Sequence, residues 1–117
     1  MAPSDLPPQP VAVNFSAIKT RYAHAKWTYP TAEQSKAAYP ARANDAEMEG
    51  TVQIISVMNT DGHLKRCGVE TESPTGYGFG QATVDLFLKT TQVDTATVEG
   101  GVLPSDVQEF TYKWQIG

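Results

Sequence analysis

The residue types that most often perform chemistry are scarce in this chain. It holds one cysteine, Cys67, and two histidines, His24 and His63. These residues cannot assemble a convincing metal site, and a single cysteine cannot form an internal disulfide. No Ser/His/Asp or Cys/His set stands in a plausible catalytic order, and the carboxylates are dispersed at surface-like positions. The sequence therefore predicts no metal site, no catalytic residues and no enzyme.

A glycine-rich stretch, Gly76-x-Gly78-x-Gly80, follows a predicted strand and opens a predicted helix. It superficially matches a dinucleotide-binding fingerprint, and Asp94 lies near the distance expected of a ribose-binding acid. The spacing between the glycines is wrong, however, and a chain of 117 residues is too short for the βαβαβ halves that build the binding crevice. We interpret the glycines as residues that allow a tight loop and let Phe79 tuck under the helix. No cofactor is expected.

Length and composition indicate one soluble globular domain. The 117 residues suffice for a single core, and contents of 40% hydrophobic and 19% charged residues are ordinary for this class. The net charge is −4 and the basic residues are scattered, so nucleic acid is not an expected partner. No run is long and apolar enough to span a bilayer, and no signal-peptide pattern is present.

Residues 50–71 form the stretch against which the rest of the chain can be placed. Asp61-Gly62 stands there between two apolar runs and predicts a β-hairpin, because a type I′ turn needs positive φ at both central residues and glycine supplies it. The expected cross-strand pairs are Thr60 with His63, Met58 with Lys65, Ser56 with Cys67, and Ile54 with Val69. The first strand is apolar on both faces, which favours a central strand. One face carries Val52, Ile54 and Met58, and the other carries Ile55 and Val57.

The last stretch of the chain alternates strictly between apolar and polar residues. One face carries Phe110, Tyr112, Trp114 and Ile116, and the other carries Glu109, Thr111, Lys113 and Gln115. This pattern predicts an edge strand with one face in the core and the other in solvent.

Three helices are predicted around the hairpin. Thr31 and Gln34 form a capping box that begins a short helix from residue 32 to about residue 38. Pro40 can serve as the first position of a second short helix, which Gly50 ends. A third helix is predicted over residues 81–91. Its expected buried face consists of Ala82, Val84, Leu86 and Leu88.

The N-terminal part divides into two segments. Residues 1–10 hold four of the eight prolines and are expected to be an extended, mobile leader, either a linker from a longer parent or an expression remnant. Residues 11–30 form an extension in which V-A-V-N-F-S-A-I, at 11–18, is compatible with a short strand. The folded domain is expected over residues 31–117.

These elements predict an α+β fold with a three-stranded sheet packed against helices. A strand, a helix and a further strand in one sheet make a right-handed crossover, so the second and third strands are expected to be parallel. The first strand fits between them, antiparallel to both. The predicted sheet order is second, first, third.

The order of several short motifs is similar to that of a known family. They are Tyr39-Pro40-Ala41-Arg42-Ala43, Glu49-Gly50, Asp61-Gly62, Val69, Ser73-Pro74, Gly78-Phe79 and the final alternating strand. Together, over residues 31–117, they resemble the C-terminal domain of the TonB energy-transducer family, and the Gly-Phe-Gly form resembles the subgroup common in α-proteobacteria. In that subgroup the first strand often carries a cysteine opposite the one in the second strand. Ser56 stands at that place, so this disulfide is not expected here.

The resemblance implies a periplasmic module that captures the TonB box, a short extended peptide near the plug of an outer-membrane transporter. It implies capture by strand addition to the free edge of the last strand, which agrees with the alternating pattern found there. The region around Tyr-Pro would make further contacts. The implied partner-binding residues are Tyr39, Pro40, Val107, Glu109, Thr111, Lys113 and Gln115. An inner-membrane motor would act only through a parent chain, and a homodimer is left open.

Two departures from the family pattern keep an alternative open. A working transducer also has an N-terminal membrane helix and a long Pro-rich spacer, and only residues 1–10 resemble that spacer. Lys36 stands where the enterobacterial pattern has a glutamine, three residues before the Tyr-Pro pair. The alternative is a TonB-like structural or adaptor domain that binds no transporter.

Overall fold

The computed structural model describes residues 21–116. They form an α+β fold with a three-stranded antiparallel sheet and a few helices, as predicted. The elements in chain order are α1 (Ala32–Ala38), α2 (Ala41–Asp45), β1 (Gly50–Met58), β2 (Leu64–Ser73), α3 (Phe79–Thr90), a short 3-10 helix (Thr95–Thr97) and β3 (Val107–Trp114). The predicted leader and the strand considered at 11–18 lie outside the described residues.

β1 lies in the centre of the sheet, as its doubly apolar pattern predicted. The sheet order is β2-β1-β3, and β1 runs antiparallel to both neighbours. Its side chains Val52, Ile54 and Met58 belong to the main core, on the face that α3 covers. On the opposite face Ile55 and Val57 are buried together with Val107 of β3. Because β2 and β3 are both antiparallel to β1, they are parallel to each other, as predicted for two strands joined by a helical crossover.

The hairpin turn holds one residue more than a type I′ turn. Asn59 N–H donates to the His63 carbonyl at 2.8 Å, and Gly62 N–H donates to the Asn59 carbonyl at 3.0 Å. Within this loop only Gly62 has a positive φ, of 94°. The turn is thus of type I followed by a left-handed glycine, and the predicted type I′ turn is wrong. A Cβ at Gly62 would also lie 2.5 Å from the Val93 carbonyl oxygen.

The extra residue shifts the strand pairing only next to the turn. Met58 lies opposite Leu64 instead of the predicted Lys65. A bulge between Val57 and Met58 absorbs the shift. The predicted pairs confirmed beyond it are Ser56 with Cys67 and Ile54 with Val69. The pair of Thr60 with His63 is wrong, because Asn59 pairs with His63.

Of the two short helices, α1 begins as the sequence predicted, whereas both ends of α2 differ from the prediction. The capping box of Thr31 and Gln34 is formed in both directions, by hydrogen bonds of 3.1 and 2.9 Å. Pro40 is the N-cap of α2 and not its first helical residue. α2 ends before Glu47, which has a left-handed φ of 53° and turns the chain. Gly50 begins β1, so the prediction that it ends the helix is wrong.

α3 begins two residues earlier than predicted, at Phe79. Gly78 is its N-cap, with a left-handed φ of 86°. The buried residues follow the helical period and are Phe79, Gly80, Thr83, Leu86 and Phe87. Leu88, predicted on the buried face, is 40% exposed. A Cβ at Gly80 would lie 2.4 Å from the Glu72 carboxyl, so this glycine permits the close approach of α3 to β2.

Trp114 lies at the centre of an aromatic core. Its side chain is fully buried, and its ring meets those of Tyr39, Phe79 and Tyr112 at centroid distances of 5.5, 6.2 and 5.1 Å. Its indole N–H donates to Thr83 Oγ1 at 2.8 Å. The polar group of the indole is therefore satisfied inside the core, and the residue connects β3 to α3.

We expect Ser56→Cys to form a disulfide with Cys67. Ser56 lies directly opposite Cys67, and its hydroxyl donates to the thiol. Met58 N–H donates towards β3, to the Asp106 carbonyl at 2.9 Å, so the backbone groups of Ser56 also point to β3. Ser56 and Cys67 are then a non-hydrogen-bonded pair with Cα atoms about 4.5 Å apart, within the range of a disulfide. The bridge should raise the free energy of unfolding by about 2–3 kcal/mol.

The measurement is the denaturant midpoint of the oxidised Ser56→Cys variant against the same variant after reduction. Val57→Cys is the control, because its side chain points to the opposite face of the sheet and cannot reach Cys67. If Ser56→Cys oxidises no faster than Val57→Cys, the geometry of this pair is wrong.

Candidate peptide-binding edge

The outer edge of β3 is the side of the strand that faces away from β1. Val107 identifies the backbone groups that point there, because its N–H donates to the Arg21 carbonyl at 3.0 Å and its carbonyl accepts from Ala23 N–H at 2.8 Å. Backbone groups of alternate residues point to the same side of a strand. On β3 the next outward-pointing residues are Glu109, Thr111 and Lys113.

These three residues leave an open row of backbone groups. Within the range 21–116, no backbone group of another element pairs with them on that side. Their side chains are exposed. A row of unpaired N–H and C=O groups is a template to which an extended peptide can add as a further strand.

The chain's own N-terminal segment occupies the start of this edge. Tyr22 forms a parallel bridge with Val107, which is fully buried. The Gln108 side chain then holds Ala25, accepting from its N–H at 2.8 Å and donating to its carbonyl at 2.9 Å. Beyond Ala25 the segment leaves the edge and pairs with residues 92–94. Val107, predicted to bind a partner, is thus paired within the chain, and the open edge begins at Glu109.

A partly buried ion pair fastens this segment. The Arg21 guanidinium donates to both carboxylate oxygens of Asp106, at 2.5 and 3.1 Å, and to the Gly101 carbonyl at 2.8 Å. The Asp106 side chain is 3% exposed and also accepts from Leu103 N–H at 2.8 Å. The hydrogen bonds from Arg21 hold the pKa of Asp106 below its usual value of 3.8.

We expect Arg21→Gln to lower the Tm at neutral pH and to lose this effect in acid. Because the folded pKa of Asp106 is depressed, its ionised form contributes stability above about pH 4, and that stability disappears as the pH falls through the folded pKa. Without the guanidinium, a buried carboxylate loses its compensation. The measurement is the Tm of both proteins from about pH 7 to about pH 3. A Tm difference between the parent and Arg21→Gln that stays constant with pH would contradict this role of Arg21. So would an equal difference for Lys26→Gln.

A groove lies beside the far end of the open edge, between α1 and β3. Its volume is about 800 Å³, within the usual range of ligand sites. Tyr112 Oη donates to Ser35 Oγ at 2.8 Å and ties α1 to β3 at its floor. Lys113 and Gln115, both predicted to bind a partner, line it together with Ile116, which is 42% exposed. The groove therefore adjoins the open edge at Lys113.

Tyr39, predicted with Pro40 to bind a partner, packs against the core beside the end of β3. Tyr39 Oη donates to the Met48 carbonyl at 2.5 Å, and its ring meets Phe79 and Trp114 edge-on at 5.9 and 5.5 Å. Burial raises the pKa of the Tyr39 hydroxyl. Tyr39 still lines the groove, whereas Pro40 does not. These contacts favour a role for Tyr39 in holding α1 and α2 against the core.

Two carboxyl groups meet on the sheet face opposite α3. Glu109 lies opposite Ile55, which in turn lies opposite Gly68 of β2. Gly68 presents no side chain, and Glu70, at a bulge of β2, reaches across to within hydrogen-bonding distance of the Glu109 carboxyl. Burial, the hydrogen bond to Glu109 and its charge raise the pKa of Glu70 to about 7. Below that pH the pair holds a proton.

No family model matches the sequence, and no curated protein is matched by it. The features that bear on function are the open edge, the groove and the order of motifs.

Cys67 is the chain's single cysteine, and its half-buried thiol lies beside the Ser56 hydroxyl. Burial raises the pKa of the Cys67 thiol to about 11, so the thiol stays protonated at neutral pH. Among the residues that the structure describes, no group of three or more His, Cys, Asp or Glu side chains could hold a metal ion. No helix in residues 21–116 is both long and apolar enough to cross a membrane.

The sequence interpretation missed the part that residues 21–25 play at this edge. The sequence did contain one sign of this contact: Gln108 occupies a core position in the alternating pattern of β3, where the other residues are apolar. In the structure it is 4% exposed. A polar residue at such a position needs a hydrogen-bond partner. The pairing of Arg21 with Asp106 carried no comparable indication, because the two residues are 85 positions apart.

Proposed function

We propose that this chain is a periplasmic peptide-binding module of the TonB type, which captures the TonB box of an outer-membrane transporter by strand addition. The observation that carries this proposal is the open outer edge of β3 at Glu109, Thr111 and Lys113, beside the groove at α1. Main-chain hydrogen bonds to such an edge supply affinity, and pockets for alternate side chains supply specificity. The order of motifs that resembles the TonB family supports the choice of partner.

In this proposal the chain acts as the capturing end of a longer arrangement. A parent chain anchored in the inner membrane would transmit force from the motor, and the described residues would hold the transporter. The edge and groove then need only bind an extended peptide, which agrees with the exposed side chains along β3.

One observation favours the alternative, a structural or adaptor domain that binds no transporter. Residues 21–25 already cover the start of the β3 edge through Val107 and Gln108. Native proteins cover strand edges in this way to prevent pairing with other chains. The two functions differ in whether the remaining edge accepts a peptide.

We expect TonB-box peptides to slow amide exchange at alternate residues of β3. In the free protein, the outward N–H groups of Glu109, Thr111 and Lys113 should exchange fast, and those paired with β1 should exchange slowly. Saturating peptide should slow the outward set with little change in the inward set. NMR-detected exchange of the labelled protein measures both sets. The affinity should depend weakly on salt, because main-chain hydrogen bonds carry it.

A proline substitution supplies the matched control for this experiment. Thr111→Pro removes one outward N–H without removing a hydrogen bond to β1, and should weaken peptide binding by roughly tenfold. Thr111→Ala keeps the N–H and should bind as the parent does. Circular dichroism checks that both variants fold. Protection that instead appears at residues 76–80, or no protection in β3, would show that edge capture is the wrong mechanism.

A further inference from the structure

The acidic pair of Glu70 and Glu109 lies directly beside the open edge of β3. Glu109 is one of the three residues whose outward backbone groups are open, and its carboxyl is within hydrogen-bonding distance of that of Glu70. Both residues are exposed as a whole, although the Glu70 carboxyl is partly desolvated where it meets Glu109. The ion pairs formed among residues 21–116 include neither of them. The first position open to an added strand is therefore marked by two carboxyl groups that lack a positive partner within the described chain.

The charged groups around this pair are few. On the same sheet face, β2 carries Arg66, opposite Val57, and β3 carries Lys113. β1 contributes no ionisable residue to that face. On the N-terminal segment, His24 is exposed and follows Ala23, which pairs with β3.

We infer that the peptide captured at β3 carries a lysine or arginine opposite Glu109, and that the Glu70 and Glu109 pair selects peptides by this residue. This inference rests on the proposed function. Residues directly opposite on neighbouring antiparallel strands have Cβ atoms about 4.5–5.5 Å apart, and opposite charges there stabilise the pairing. A cation at this position offsets the repulsion between two neighbouring carboxylates, which a neutral residue cannot do.

Binding of a basic peptide is expected to depend on pH, because the acidic pair must lose its proton. A cation stabilises the ionised pair, and the pKa of Glu70 is raised to about 7 in the free protein. Binding of a basic peptide therefore lowers that pKa and releases a proton near neutral pH. Because the free pair loses its proton as the pH rises, the affinity for a basic peptide increases with pH. A peptide with a neutral residue at the same place gains nothing from the ionised pair.

The experiment uses a neutral Thr/Val peptide with a single lysine moved through its length, and the matched series with glutamine. We expect one lysine position to bind roughly threefold to tenfold tighter than its glutamine counterpart at about pH 8. The preference should shrink towards about pH 5, and calorimetry in buffers of different ionisation enthalpy should detect the released proton.

Variants identify the residues responsible. Glu109→Gln should abolish the lysine preference. Glu70→Gln should keep a preference but remove its pH dependence, because Glu109 then has no carboxyl neighbour that shares its proton. Lys65→Gln, at an exposed position of β2 outside the edge and the groove, is the control for a general charge effect, and His24→Gln is the control for the neighbouring imidazole; both should leave the preferred position and its pH dependence unchanged.

The outcomes separate this inference from the proposed function. Peptides that protect alternate β3 amides equally with lysine or glutamine at every position would overturn the inference and leave strand capture standing. Loss of the pH dependence in His24→Gln would assign the proton to His24 and also overturn it. If no peptide of either series protects β3, strand capture itself is wrong.

Discussion

Replacing Trp114 with alanine is expected to lower the free energy of unfolding by about 3–5 kcal/mol. The indole is fully buried and meets three aromatic rings, so its removal leaves a large cavity between β3 and α3. The substitution also removes the N–H that donates to Thr83 Oγ1. Urea unfolding followed by circular dichroism measures the loss, because this readout does not depend on tryptophan fluorescence.

Lys113→Ala is the control for that experiment. Lys113 is the neighbour of Trp114 on the same strand, and its side chain is exposed on the opposite face. Its truncation should change the free energy of unfolding by less than about 0.5 kcal/mol. Similar losses for the two variants would mean that the buried and exposed faces of β3 are inverted.

Gln108→Ala is expected to cost about 2–4 kcal/mol of unfolding free energy. The amide of Gln108 satisfies both backbone groups of Ala25, and both side chains are buried. Truncation leaves a donor and an acceptor without partners, at a cost of about 1–3 kcal/mol for each buried group. It also releases residues 21–25 from the start of the β3 edge.

Gln115→Ala is the matched control, since it removes the same side chain from an exposed position near the end of the same strand. It should lie within about 0.5 kcal/mol of the parent. Amide exchange adds a second readout, because Gln108→Ala should accelerate exchange at Ala25 before it affects β1. A Gln108→Ala variant as stable as Gln115→Ala would show that the hydrogen bonds to Ala25 contribute nothing.

The sequence was sufficient for those parts of the fold that depend on local chemistry and on side-chain period. The capping box at Thr31, the central place of β1 and the sheet order were all predicted, and the structure contains them. Helix α3 was also predicted, but Leu88 was wrongly assigned to its buried face. A short apolar run does not determine which of two adjacent residues, Phe87 or Leu88, faces the core. The contacts of the Phe87 ring with Phe110 and Tyr112 of the sheet decide it.

The candidate site was predictable to the extent that alternation reveals an edge strand. Glu109, Thr111, Lys113 and Gln115 are exposed as the pattern indicated. The pairing of Val107 with the N-terminal segment was not predictable, because its hydrogen bonds join residues far apart in the chain. The same holds for Glu70, whose carboxyl reaches Glu109 only because a bulge and a glycine place it there.

By itself the sequence determined the alternation of β3, the apolar faces of β1 and the capping box of α1, because each depends on residues within a few positions of one another. The tertiary structure alone decided where the open edge of β3 begins and which charges lie beside it. Those features depend on Arg21 with Asp106, on Gln108 with Ala25, and on two carboxyls from different strands. Interactions across such separations leave no periodic pattern in the sequence, since each is formed only when the whole sheet has assembled.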